Sequence, residues 1–111
     1  MKEKIEKLIE KYEYKRERYN RLIYRPSFLA GDLRDFYDGV IEEYDFVKKE
    51  LNSILQDYDP DENIVKLQLA RTIQIAFNHY GHVTSPSNEK DRGKNRALFS
   101  IIEDMRELVK E

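Results

Sequence analysis

Both histidines of this 111-residue chain, His79 and His82, stand three positions apart at the start of the stretch HYGHVTSPSNEKDRGK. On a helix that spacing turns two imidazoles toward one side, which is half of a zinc site. The other half is missing: there is no cysteine, and no acid nearby falls at diagnostic spacing. Ordinary helix-end histidines, with no metal and no cofactor, are therefore expected. Asp35, Asp38 and Glu42 share one helical face at three- and four-residue spacing, as carboxylates around magnesium would. No second acid motif completes such a set, so they read as a solvated acidic face.

Other routes to catalysis fail in the same way. Arg71 and His79 have seven residues between them, too many for the arginine-histidine spacing of all-α nucleases. With four glycines in the chain there is neither a glycine-flanked serine beside a base nor a phosphate-cradling loop. The chain is expected not to be an enzyme.

Binding chemistry is better represented. Lys90, Arg92, Lys94 and Arg96, preceded by Ser85, Ser87 and Asn88, could hold phosphates through their charges and the free amides of a helix start. Glu89 and Asp91 dilute that field, and no aromatic interleaves to stack on bases. Residues 11–25 combine Lys15, Arg16, Arg18, Arg21 and Arg25 with Tyr12, Tyr14, Tyr19 and Tyr24. Tyr12 and Tyr19 fall on an apolar stripe and are assigned to the core, leaving Tyr14 and Tyr24 exposed.

Four helices must position these groups. In the first, over residues 2–24, Ile5, Leu8, Ile9, Tyr12, Tyr19, Leu22 and Ile23 recur at spacings of three, four and seven. Lys15 and Arg16 interrupt the stripe, but their alkyl stems can lie along it. Arg25-Pro26 disfavours further helix. The second helix, over 32–58 with Asp32 as its cap, carries a strict four-three alternation: Leu33, Tyr37, Val40, Tyr44, Val47, Leu51, Ile54 and Tyr58. Such a seam is about 39 Å long at 1.5 Å per residue. Gly39 within it costs roughly 1 kcal/mol relative to alanine, which implies close helix approach or a bend.

Asp59-Pro60-Asp61-Glu62 reads as the start of the third helix, over 60–80, with Asp59 as N-cap and proline in the first turn. Ile64, Leu67, Ala70, Ile73, Phe77 and Tyr80 form its apolar face, widened by Val65, Leu69, Ile75 and Ala76, so it is expected to be the most buried element. Gly81 fits a left-handed helix end. The fourth helix, over 90–110, sets Ala97, Leu98, Ile101, Ile102, Met105, Leu108 and Val109 against Glu103, Asp104, Arg106 and Glu107. No strand pattern, repeat or low-complexity run occurs. The fold class is all-α: a long antiparallel hairpin of the first two helices with two shorter helices in a bundle-like arrangement.

Length and composition bound the rest. Residues 1–111 suit a single domain, and charged residues (38%) nearly equal apolar ones (40%), a balance that favours narrow helices or a dimer. Net charge alternates, +4 over residues 1–25, −8 over 26–62 and +2 over 63–111, which favours laying the first helix beside the second. Without cysteine or an unbroken apolar run, a cytoplasmic protein with no membrane association is expected.

The segment LIEKYEYKRERYNRLIYRPSFLAGDLRDFYDGVI resembles small helical accessory proteins of bacteriophages and prophages of low-GC Gram-positive bacteria. The likeness covers about the first half of the chain and carries over no catalytic residue. It implies a protein that binds a host protein and inhibits or redirects it. The residues themselves point to a non-enzymatic protein-interaction module, homodimeric, whose seam from Leu33 to Tyr58 and acidic second helix present a surface to a host partner. A nucleic-acid-binding regulator using Lys90, Arg92, Lys94 and Arg96 with the first helix is the alternative.

Overall fold

The computed structural model of the protein describes residues 1–23, 31–82 and 88–110. Among them are four helices and no strand: α1 (Lys2–Ile23), α2 (Gly31–Gln56), α3 (Glu62–His82) and α4 (Glu89–Lys110). None is long and apolar enough to cross a membrane. The Arg25-Pro26 break, the Asp32 side chain and Ser85 and Ser87 lie outside the described residues.

Local chemistry sets the helix starts. Asn88 caps α4, its Oδ1 accepting from the amide of Asp91 at 2.8 Å. At α3 the cap is Asp61, not Asp59. Asp59 Oδ1 accepts the Asp61 amide (2.8 Å), and Asp61 Oδ1 then accepts the Asn63 amide (3.0 Å). Two successive aspartate turns thus leave Pro60 outside the helix. At the other end α3 runs through Gly81 to His82, so Gly81 is a helical residue and not a left-handed stop.

Cross-helix pairs give the topology. Arg16 Nε meets Asp45 Oδ1 at 2.6 Å and Lys48 meets Glu13 at 3.6 Å, so α1 and α2 are antiparallel. The opposite fields of the two segments are indeed laid side by side. Lys11 meets Asp104 (2.8 Å) and Lys15 meets Ser100 (3.4 Å), so α1 also opposes α4. Since α2 and α4 each run antiparallel to α1, they are parallel to one another, and they meet where Phe36 lies against Gly93 and Glu42 against Lys90 and Lys94. The bundle is elongated, 51 × 27 × 19 Å, about two helix diameters in its thinnest direction.

The parallel pair α2/α4 is its spine. A Cβ on Gly39 would run into the Lys90 carbonyl and stand 2.9 Å from the Lys94 amide, and one on Gly93 would meet the Phe36 carbonyl. Gly39 therefore serves close approach. Val40, Tyr44, Val47 and Leu51 of α2 pack with Ala97, Ile101 and Met105 of α4, joined by Ile5 and Tyr12 of α1 and Val65 and Leu69 of α3. α4 is thus the principal partner of α2 and not part of a lesser pair, and it matches α1 in length at 22 residues.

Two expectations about burial need correction. Within the seam, Val40, Tyr44, Val47, Leu51 and Ile54 are closed inside this chain, and Leu33, Tyr37 and Tyr58 are only partly covered. Three helices of one chain cover what a short partner helix could not. α3 is not the most buried element; α2 and α4 are. Its inward residues are Val65, Leu69, Thr72 and Ala76, whereas Ile64, Leu67 and Ala70 face solvent and Phe77 lies at the edge under the Arg106 guanidinium, 4.7 Å from its ring centre. α3 has two apolar stripes, and the one with the smaller side chains sits against α4, where Ala76 packs on Leu98 and Ile102.

Candidate functional site

Among the described residues a concavity lies between α1, α2 and α4. Tyrosines lead into it from the core. Tyr12 stacks on Tyr44 at 5.3 Å between ring centroids, Tyr44 approaches Tyr19 at 6.5 Å, Tyr19 approaches Tyr37 at 5.4 Å, and Tyr37 meets Phe36 edge-on at 6.0 Å. The inner end is anchored, since the Tyr12 hydroxyl donates to Asp104 at 3.0 Å. Burial and then Asp104 push the Tyr12 hydroxyl far above the usual range, so it stays protonated. Tyr44 is pushed up to about 12, by burial first and then by Tyr19.

Beyond this ladder the groove opens to about 840 Å³. Tyr19, Tyr37, Phe36 and Phe99 form apolar walls, and Lys15, Arg18 and Arg96 supply cations. Phe99 is 59% exposed, an unusual position for a phenylalanine, at the rim. Lys15 stands over the Tyr44 ring at 5.8 Å and donates to Ser100 at 3.4 Å. Burial, then the neighbouring Lys11, lowers its pKa, Asp104 opposes the fall and Arg96 adds to it. Among the described residues neither Arg18 nor Arg96 has an acidic partner within ion-pair distance.

The positions expected to bind nucleic acid separate into two environments. Lys90 and Lys94 both clamp Glu42, at 3.2 and 3.4 Å, and Arg92 pairs with Glu89 at 3.2 Å. Burial alone would raise the Glu42 carboxyl, but the two lysines together outweigh it and hold the group below its usual range. Asn88 is engaged as the α4 cap. Only Arg96 of the four lines the groove. Of the other basic and aromatic candidates, Tyr14 is exposed as expected and Tyr24 lies outside the described residues.

His79 lies on a different side of the bundle. Its Nδ1 is 3.4 Å from Glu43 Oε2 and its ring sits 4.7 Å from that of Phe46. Glu43 is only 6% exposed, and burial raises its pKa despite the imidazole. The side chain of His82 is outside the described residues. Among the described residues no three histidine or acidic side chains converge as metal ligands. Asp35 and Asp38 are exposed, while Glu42 is taken by the two lysines.

Sequence reasoning did not pick out Phe36, Phe99 and Ser100 as groove residues. Phe99 alone carried a signal: it falls outside the α4 apolar stripe, where a large aromatic needs a reason. No protein-family model matches the chain, and no curated protein or solved structure matches it.

Proposed function

We propose that this protein is a non-enzymatic helical interaction module that binds a host protein through the outer face of α3. The observation that carries the reading is that three of the five exposed large apolar side chains among the described residues stand on α3: Leu67 at 71%, Ile64 at 41% and Phe77 at 36%. Ala70 continues this strip, and α3 packs on the bundle through Val65, Leu69, Thr72 and Ala76, with Arg106 of α4 reaching round to the Phe77 ring at 4.7 Å. Exposed apolar strips of this kind mark partner surfaces. The seam of α2 is not that surface, because its centre is already occupied by α1 and α4.

A host protein is the partner that the likeness to phage accessory proteins implies. A second copy of the chain is the alternative occupant. The nucleic-acid reading through residues 90–96 has less support, since Lys90, Arg92 and Lys94 direct their charge at Glu42 and Glu89.

The test compares tagged wild-type protein with an Ile64→Asp/Leu67→Asp variant in nuclease-treated lysate of a Gram-positive host. Both positions are exposed, so the variant is expected to fold with an unchanged helical spectrum. One protein retained by the wild type and lost by the variant is expected. Identical capture by both, or capture that disappears with nuclease, would reject the reading. Light scattering at micromolar concentration identifies the second copy, as a dimer mass that the variant loses.

A further inference from the structure

We propose that the groove between α1, α2 and α4 binds a free mononucleotide carrying an exocyclic amino group, with its phosphate at Arg18 and Arg96 and its base between the aromatic walls. This site is separate from the α3 strip and does not rest on its role.

The groove has a direction. Lys11 lies opposite Asp104 and Lys15 opposite Ser100, so an advance along α1 matches an equal retreat along α4. Arg18 therefore stands at the level of Arg96, and the two guanidiniums, without an acidic partner among the described residues, make one end cationic. Glu103 lies seven residues, about 10.5 Å, further along α4 and makes the other end acidic. Asp104 beside it is held by Lys11 and Tyr12 and adds little free charge. Phe99 and Ser100 project between the two ends from the same face of α4, opposite Lys15, and Tyr19 and Tyr37 complete the wall.

Each part answers one part of a nucleotide. Guanidiniums bind phosphate in a forked geometry, aromatic faces stack on bases, and a carboxylate accepts from an exocyclic amine. Uncharged aromatic ligands leave the cations unused. A phosphorylated phenol leaves Glu103 as an uncompensated repulsion. The volume, about 840 Å³, is within the range of small-molecule sites and accommodates one nucleotide rather than a length of strand. A phosphate nearby would offset the burial and the cationic neighbours that disfavour the charge on Lys15.

The test is a calorimetric titration of the full chain with AMP, UMP and adenosine, and with an eight-residue oligodeoxyadenylate. One-to-one binding of AMP is expected, with adenosine and UMP each roughly tenfold weaker. Arg96→Ala should weaken AMP by a similar factor and leave adenosine unchanged, while Glu103→Gln should abolish the preference for AMP over UMP. Both side chains are exposed, so both variants fold. Absence of saturable AMP binding at millimolar concentration would overturn the proposal. So would an Arg96→Ala variant with unaltered AMP affinity, or a strand that binds a hundredfold more tightly than AMP and is released by salt.

Discussion

Gly39 of α2 and Gly93 of α4 mark one helix contact from its two sides: each offers bare backbone to a carbonyl of the other helix, Gly39 to Lys90 and Gly93 to Phe36. Neither has a positive φ. Space, and not backbone conformation, is what they provide. On helix propensity alone, Gly→Ala at either site would stabilise by about 1 kcal/mol. Because the new methyl group meets backbone, which cannot rotate away, Gly39→Ala and Gly93→Ala are each expected to destabilise by about 2 kcal/mol or more. Urea unfolding reads the sign directly, and a gain at both sites would mean that α2 and α4 do not touch.

Tyr12 is fully buried, and its hydroxyl has a charged acceptor, Asp104. Tyr12→Phe should therefore cost about 2 kcal/mol, as for a hydrogen bond to an ionised group. A double-mutant cycle with Asp104→Asn isolates the pair. A coupling energy near zero would count against the bond.

Glu42 and Glu43 are neighbours with opposite pH behaviour. Glu43 has a folded-state pKa raised by burial, so its contribution to stability is lost as pH rises through that value. Glu43→Gln should be at least as stable as wild type at pH 7, by up to about 1 kcal/mol, with the advantage gone at pH 4. A variant that is less stable at pH 7 would show that the His79 contact outweighs burial.

Glu42 has a folded-state pKa lowered by Lys90 and Lys94, so its contribution is present above the ordinary carboxylate range and is lost as pH falls through the folded value. Glu42 and Lys90 are half exposed and Lys94 less so, at 24%, and Glu42→Gln should cost no more than about 1 kcal/mol at neutral pH. The variant also releases two lysines next to Arg92. Its non-specific affinity for DNA at low salt is expected to rise severalfold in a fluorescence titration. Unchanged affinity would mean that Glu42 does not restrain these cations.

By itself the sequence determined the four helices, their apolar faces in α1, α2 and α4, and the side-by-side placement of α1 and α2. Periodicity and opposed charge act along or between neighbouring segments, and both are visible in the order of residues. It also marked Gly39 as a position needing a reason. It did not reveal what covers a face. The α2 seam has the period of a coiled coil whether a second copy or α4 closes it, and only the fit of Gly39 and Gly93 decides for α4. In α3 two apolar stripes have the same period, so burial of Val65, Leu69 and Ala76 in place of Ile64 and Leu67 was decided by packing, Val65 and Leu69 in the main core and Ala76 on Leu98 and Ile102. The groove was decided the same way. Arg18 and Tyr19, Phe36 and Tyr37, and Arg96, Phe99 and Glu103 come from three distant segments, and a concavity lined by all of them exists only after the helices have crossed. Paired charge followed the same rule: Lys90 and Lys94 look like a basic patch in the chain, and they are neutralised only because the α2/α4 contact brings Glu42 beside them.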